Sequence, residues 1–330
     1  MRFCLRLLFI TVAASLAVSA QTKQLRLLST AWPPFTNQPG QPRFALDLVE
    51  AALGRGGLGS DTTIVDAAKF TPLLLGNEFD GSAAAWKDAE RERLLFFSQP
   101  YLENRLMLVA RRGDDVSATS LAALKGKRIA VVEGYSYGDD VDKSGPTFVR
   151  SSGEEDSLKL LLTKAVDYTL MDDLVVKYIV NNHSTEAQAR LQVGSTPLVI
   201  RQLYLAVRRS LPDAETIVAR FNAQLRGMIA DRTYHRLLHV DWIRADVDGD
   251  GVAENIPASD QPGRLAPASP YVLYTAQQSG QPQQRGSDQR FYFGGSTYNS
   301  WGAVPDKYKV DDPLHKDPSQ SVVPIFKFSW

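Results

Sequence analysis

From residue 24 to about residue 240, segments with strand patterning alternate with segments of helical spacing, and this alternation limits the chain to the α/β class. Gln24–Ser29 reads as a short strand. Phe44–Leu53 reads as a helix with Leu46, Val49 and Leu53 on one side, stopped by Gly54, Gly56 and Gly57. Thr62–Val65 is β-branched, Phe70–Leu75 is a short helix candidate, and Asp80–Ala85 is a run of small residues suited to a tightly packed strand. Arg105–Ala110, Arg128–Val132, Thr147–Arg150, Asp167–Met171 and Leu203–Val207 continue the strands. Helices are expected at Ser157–Ala165, at Leu174–Val180 and from Pro212 to Ile229, with Asp231 capping a last one through Leu238. Mostly parallel sheets follow from this order.

Composition narrows the function. Lys and Arg number 37 against 37 Asp and Glu, so no basic field is available to hold nucleic acid. A chain of 330 residues that is 44% hydrophobic can bury ordinary cores, which excludes wholesale disorder. Its one cysteine, Cys4, precedes an apolar run, Leu7–Val18, that is too short to span a bilayer comfortably. Arg2 and Arg6 ahead of the run, and Val18-Ser19-Ala20 after it, make residues 1–20 a cleavable secretory signal. The mature chain then starts near Gln21, contains no cysteine and is expected in the periplasm as a soluble protein. His235 and His239 stand four apart, which is metal spacing, but no acid in register supports a site, and they read as a helix surface.

Three motifs stand out. The first is Trp32-Pro33-Pro34-Phe35 followed by Phe44-Ala45-Leu46-Asp47-Leu48. The second runs from Asp88-Ala89-Glu90-Arg91 to Phe97-Ser98-Gln99-Pro100-Tyr101, where Asp88 can cap a short turn. The third pairs Leu124-Lys125-Gly126-Lys127, a strand and Gly134-Tyr135-Ser136 with Val166-Asp167, a strand and Asp172. Together they resemble the periplasmic solute-binding proteins of the polar amino-acid class, which serve ABC importers. The resemblance covers roughly residues 24–242. It implies a two-lobed periplasmic-binding-protein fold (type II) with two hinge crossings, followed here by a C-terminal extension. Lobe I is expected over 21–103 and 209–243, lobe II over 104–208, a calcium-like loop over 244–256 and the extension over 257–330.

The resemblance also implies a ligand site and no catalysis. Trp32 would stack over the apolar part of an amino-acid-like ligand, with Phe70 as a second wall or as core. Arg91 would grip the carboxylate, since a guanidinium pairs with both oxygens at once; Arg93 is the rival. Ser136 would add a hydroxyl at a helix N-terminus, and Asp172 would accept the ammonium, with Asp173 as the alternative. The segment before Arg91 departs from the family pattern, so Trp86 becomes a candidate wall and Lys87 a source of extra positive charge. A membrane transporter or receptor would read lobe closure, and the protein would act as a monomer. Two other readings remain open. One is an interaction protein that docks a receptor through the extension. The other is an enzyme of dehydratase or wall-cleaving type on the same fold, for which Glu133 is the only tempting acid or base.

Asp246-x-Asp248-x-Asp250-Gly251-x-x-Glu254 lets alternate carboxylates converge on one cation, with Gly251 for the turn and the Val252 carbonyl as a further ligand. Position 12 is Pro257, so the loop is not a full EF-hand. A structural Ca²⁺ and a metal-free acidic turn are both open; no cofactor for chemistry is expected. Residues 276–290 are glutamine-rich linker, and beyond them Phe291–Phe293 and Val322–Trp330 are strand candidates.

Overall fold

The structure is a computed structural model that describes residues 24–273 and 289–310. The signal segment 1–20, the strand candidate 322–330 and nearly all of the glutamine-rich linker lie outside the described residues. The first lobe starts with β1 (Gln24–Thr30), α1 (Phe44–Arg55), β2 (Gly59–Val65), α2 (Ala67–Leu75), β3 (Gly81–Trp86), α3 (Ala89–Leu94) and β4 (Leu95–Phe97). The chain then crosses on β5 (Leu102–Arg111). The second lobe holds β6 (Arg128–Val132), α4 (Asp139–Asp142), β7 (Thr147–Ser151), α5 (Glu154–Leu162), β8 (Tyr168–Asp172), α6 (Asp173–Asn182) and α7 (Ser184–Arg190). The return runs along β9 (Leu191–Arg208) into α8 (Ala214–Ala230) and α9 (Thr233–Leu238).

One curled sheet carries both lobes, in the order β2-β1-β3-β9-β5-β8-β6-β7, with β4 also on β9. β1 pairs in parallel with β2 and β3, and β6 with β7 and β8, as the strand–helix alternation requires. Every antiparallel pair in this sheet involves β5 or β9, the two strands that run between the lobes. Leu102 lies opposite Leu203, and Arg105 opposite Ile200, so the two crossings are bonded side by side. A paired two-strand hinge bends as a unit and leaves the lobes free to close on each other.

Helix periodicity decides the packing. α1 buries Leu46, Leu48, Val49 and Leu53, and α8 buries Ile217, Phe221, Leu225 and Met228, so each presents one apolar stripe. The two stripes pack against each other, each large apolar side chain contributing about 2 kcal/mol. Asp231 caps through its carboxylate, which accepts from Thr233 N at 2.9 Å. The reading of His235 as helix surface is overturned. It is 2% exposed, and its ring Nε2 is 3.1 Å from the Ile256 carbonyl. Burial pulls its pKa down to about 4, so the ring is neutral and joins α9 to the extension.

The extension forms a second sheet from β10 (Trp242–Ala245), β11 (Glu254–Pro257), β12 (Tyr271–Val272), β13 (Arg290–Phe293) and β14 (Ser296–Tyr298). Its order is β12-β10-β11-β13-β14. Trp242 and Ile243, expected to close lobe I, thus open this sheet. The sheet also reaches the hinge. Arg105 of β5 donates to the carbonyls of Ser269 and Pro270, and its guanidinium lies 4.2 Å from the Tyr271 ring centroid. Tyr271 Oη donates in turn to Asp173 Oδ2 at 2.7 Å in the second lobe.

Candidate functional site

The lobes meet at a cavity of about 30 Å³, lined by Thr30, Trp32, Phe70, Trp86 and Arg91 from one side and Gly134, Tyr135 and Ser136 from the other. Five of the expected ligand-binding residues (Trp32, Phe70, Trp86, Arg91 and Ser136) therefore share one wall system. The space holds about one water, so the lobes stand closed and the rings fill the site.

Local sequence explains how Arg91 arrives there. Asp88 caps α3, accepting from Arg91 N at 2.8 Å, and this turn folds the guanidinium inward until the residue is only 2% exposed. One terminal nitrogen donates to the Trp86 carbonyl and the other to Thr71 Oγ1, both at 2.9 Å. The Nε group makes no hydrogen bond; Asp88 Oδ2 stands 3.4 Å away. Phe70 lies under the guanidinium at 5.5 Å. Burial pulls the Arg91 pKa down, with Asp88 and Glu90 opposing, yet a guanidinium remains charged. This buried cation is held mainly by neutral oxygens, and a ligand carboxylate offers it a stronger, two-point partner.

Closure is written into Gly134. Its φ is +78°, and a Cβ there would meet the Ala67 carbonyl oxygen of the other lobe at 2.3 Å. Its own carbonyl accepts from Thr71 Oγ1 at 3.2 Å, and Tyr135 Oη shares a hydrogen bond with Thr30 Oγ1 at 3.1 Å. Arg201 of the crossing strand β9 donates to the Tyr137 carbonyl at 2.7 Å and steadies the same loop.

Three expectations need correction of place. Ser136 is not at a helix N-terminus, because α4 starts only at Asp139; its hydroxyl donates to Asp88 Oδ2 at 2.5 Å instead. Asp172 does not line the cavity. It caps α6 by accepting from Leu174 N at 2.8 Å, and its other oxygen accepts from Asn104 Nδ2 and Arg105 N, both at 3.0 Å. Asn104 in turn accepts from Trp86 Nε1 at 2.8 Å, so Asp172 stands one layer behind the wall. Burial and the Asp173 carboxylate push its pKa up, against those three donors. Lys87 turns to Glu92 at 2.5 Å and is not among the cavity residues. Asp173 binds Tyr271, and Arg93 is exposed.

Sequence reasoning passed over Tyr135, Tyr137 and Asn104. Trp32, Trp86, Tyr135 and Tyr137 form one ring cluster, with Trp86 centroids 5.7, 5.5 and 5.3 Å from the other three. Such edge-to-face contacts suit the ring quadrupoles. The spacing of Tyr135 and Tyr137, two apart after a strand, was the available signal.

The acidic loop joins β10 to β11. Ligand atoms of Asp246, Asp248 and Glu254 lie within 4.8 Å of one another. Arg290 of β13 shares the cluster, donating to Asp250 Oδ2 at 2.7 Å and standing 3.7 Å from Asp248 Oδ2 and 3.2 Å from Glu254 Oε1. Burial holds the Glu254 carboxyl up at about 7. The exposed Val252 donates its N–H to Asp250 Oδ1 at 2.8 Å.

The description "bacterial extracellular solute-binding proteins, family 3" matches residues 27–244. Solved structures share the fold. The GluR0 ligand-binding core from Nostoc punctiforme, in complex with L-glutamate, is 21% identical with a TM-score of 0.54, covering 64% of this chain and 96% of that one. An ancestral arginine-binding protein bound to arginine is 24% identical with a TM-score of 0.55, covering 65% and 96%. The amino acid ABC transporter substrate-binding protein AbpA from Streptococcus pneumoniae, bound to L-arginine, is 15% identical with a TM-score of 0.55, covering 65% and 92%. No match is found among curated proteins.

Proposed function

We propose that this chain, which belongs to the bacterial extracellular solute-binding proteins of family 3, captures an amino acid or similar small carboxylate between its two lobes and delivers it to an ABC importer. The family binds solutes and does not transform them, so the protein is a binding protein rather than an enzyme. The observation that carries the ligand class is Arg91, a guanidinium buried between the lobes with its Nε unbonded and a hydroxyl-bearing loop opposite. The structural neighbours named for amino acids support the same reading. The protein works outside the cytoplasm as a monomer, released by cleavage after residue 20. Among the described residues no helix is long and apolar enough to cross a membrane.

A thermal-shift screen against amino acids and small carboxylates tests this. A ligand far above its Kd raises the melting temperature by mass action, about 2.7 kcal/mol of stabilisation at a hundredfold excess over Kd. A shift with at least one carboxylate is expected; no shift with any of them contradicts the reading.

The acidic loop is proposed as a structural Ca²⁺ site through Asp246, Asp248, Asp250, Glu254 and the Val252 carbonyl, in competition with Arg290. Millimolar Ca²⁺ is expected to raise the melting temperature, and to raise it further in Arg290→Gln, where the internal cation is gone. If neither protein responds, Arg290 alone is the counter-ion and the metal site is refuted.

A further inference from the structure

Among the described residues that line the cavity between the lobes, Arg91 is the single cation, and no carboxylate joins it. The acids around the site are committed elsewhere. Asp172, the expected ammonium acceptor, is taken by three N–H donors from α6 and β5 and stands behind Trp86 and Asn104. Asp88 accepts from Arg91 N through one oxygen and from the Ser136 hydroxyl through the other. Glu154 of α5 lines a separate space of about 750 Å³ beside Ala31 and Pro33, which shares no residue with the Arg91 cavity. Burial holds the Glu154 carboxyl up at about 8, so it is mostly uncharged near neutrality. The lining carbonyls are committed too. Those of Thr30, Ala84, Trp86 and Gly134 accept from the Thr36 hydroxyl, the Ser82 hydroxyl, Arg91 and the Thr71 hydroxyl. An ammonium entering this cavity brings three donors and a charge; it meets no acid, and only carbonyls that already hold a donor.

A neutral oxygen is better matched. Thr30 Oγ1 of the first lobe and Tyr135 Oη of the second both belong to lining residues and share a hydrogen bond at 3.1 Å. Two hydroxyls carry two hydrogens and use one between them, so the pair keeps one O–H to donate and lone pairs to accept. It therefore suits an oxo oxygen or a hydroxyl. The rings set the size. The centroids of Trp32, Trp86 and Tyr135 stand 5.7, 5.6 and 5.5 Å apart, a triangle in mutual contact that leaves no slot for a side chain. What remains beside Arg91 holds about one water. A carboxylate at Arg91 and an oxygen at the hydroxyl pair thus belong on adjacent carbons of a short ligand.

We propose that the ligand is a monocarboxylate of two or three carbons with a hydroxyl or oxo oxygen, and no ammonium, on the carbon beside the carboxylate. Arg91 takes the carboxylate, and the Thr30–Tyr135 hydroxyl pair takes the second oxygen. This rests on the proposed binding function and narrows its ligand class. Asp172 is then a positioning residue that sets Trp86 through Asn104.

The test is calorimetric titration of the full chain with size-matched acids, glycine against glycolate and L-alanine against L-lactate, pyruvate and propionate, with L-glutamate and L-arginine as large probes. L-Lactate or pyruvate is expected to bind at least about tenfold tighter than L-alanine, and glycolate tighter than glycine. Tyr135→Phe, checked by melting to be folded, is expected to weaken the better of L-lactate and pyruvate about fivefold to tenfold, and to leave propionate, which lacks the second oxygen, within about threefold. An amino acid, small or large, that binds as tightly as the best hydroxy or oxo acid overturns the proposal and leaves the binding function standing. Equal losses for that acid and for propionate in Tyr135→Phe take the second oxygen away from the hydroxyl pair and overturn it as well. If no probe binds the unaltered chain, the binding function falls with it.

Discussion

Arg91→Ala is expected to raise the Kd for the carboxylate ligand at least about a hundredfold. Two charge-assisted hydrogen bonds to a carboxylate are worth about 1.5–3 kcal/mol each, and each 1.4 kcal/mol is a factor of ten. The loss should fall on binding more than on folding. In the closed form the guanidinium is bonded to Trp86 O and Thr71 Oγ1 of its own lobe and, at 3.5 Å, to Gly134 O of the other, so truncation costs stability only about 1–3 kcal/mol. Arg91→Lys separates charge from geometry. It keeps a cation over Phe70 but cannot fork across two oxygens, and most of the loss should remain. Isothermal titration with the ligand found by thermal shift, alongside a melting curve for each variant, reads both quantities. Full affinity in a folded Arg91→Ala would remove the carboxylate from this corner of the cavity.

Arg105→Ala should give the largest loss of stability, about 3–5 kcal/mol, or roughly 10 °C in melting temperature. Arg105 is 8% exposed and pairs with Glu103, itself 4% exposed, at 2.5 Å. Removing the arginine leaves a buried carboxylate without its cation, and Glu103 is already pushed up by burial. It also strips the Ser269 and Pro270 carbonyls of their donors and the Tyr271 ring of its cation. The extension should then detach from the hinge, and limited proteolysis should cut between 258 and 273 sooner than in the unaltered chain. Unchanged melting and unchanged cleavage would mean that the extension does not brace β5. Deleting 257–330 removes the same acceptors, so that truncation is expected to weaken the hinge rather than merely to expose a receptor-binding surface.

Much of this was legible in the chain. β6 falls on Arg128–Val132 as expected, because an apolar β-branched run bounded by Lys127 and Gly134 leaves little choice. The Asp88 cap was readable from its place before a short turn, and Arg91 from the resemblance of its motif to the family's. Other features were masked by chemistry that serves two ends. Asp172 sits where a strand meets a helix, and an aspartate there caps a helix as readily as it faces a ligand; only the Asn104 and Arg105 partners decide between them. Glu154 stands beside Glu155 and Asp156 in a first turn, where acids are ordinarily solvated partners of the helix dipole. β9 extends back to Leu191, although Gly194, Pro197 and the polar residues between them break the alternation of a strand. Its pairing with β5 overrides that local preference. His235 looked like surface because nothing in the helix itself announces a second sheet packed on it.

The central claim is that the two lobes close on a ligand held between Arg91 and the ring cluster. Distance measurement between spin labels at Glu90→Cys and Lys143→Cys, in the chain from residue 21 onward, which holds no other cysteine, tests it most directly, since both positions are exposed and lie on opposite lobes. Saturating ligand is expected to shift the distance distribution to its shorter population, with no shift in Arg91→Ala. Identical distributions with and without every ligand that raises the melting temperature would contradict the account.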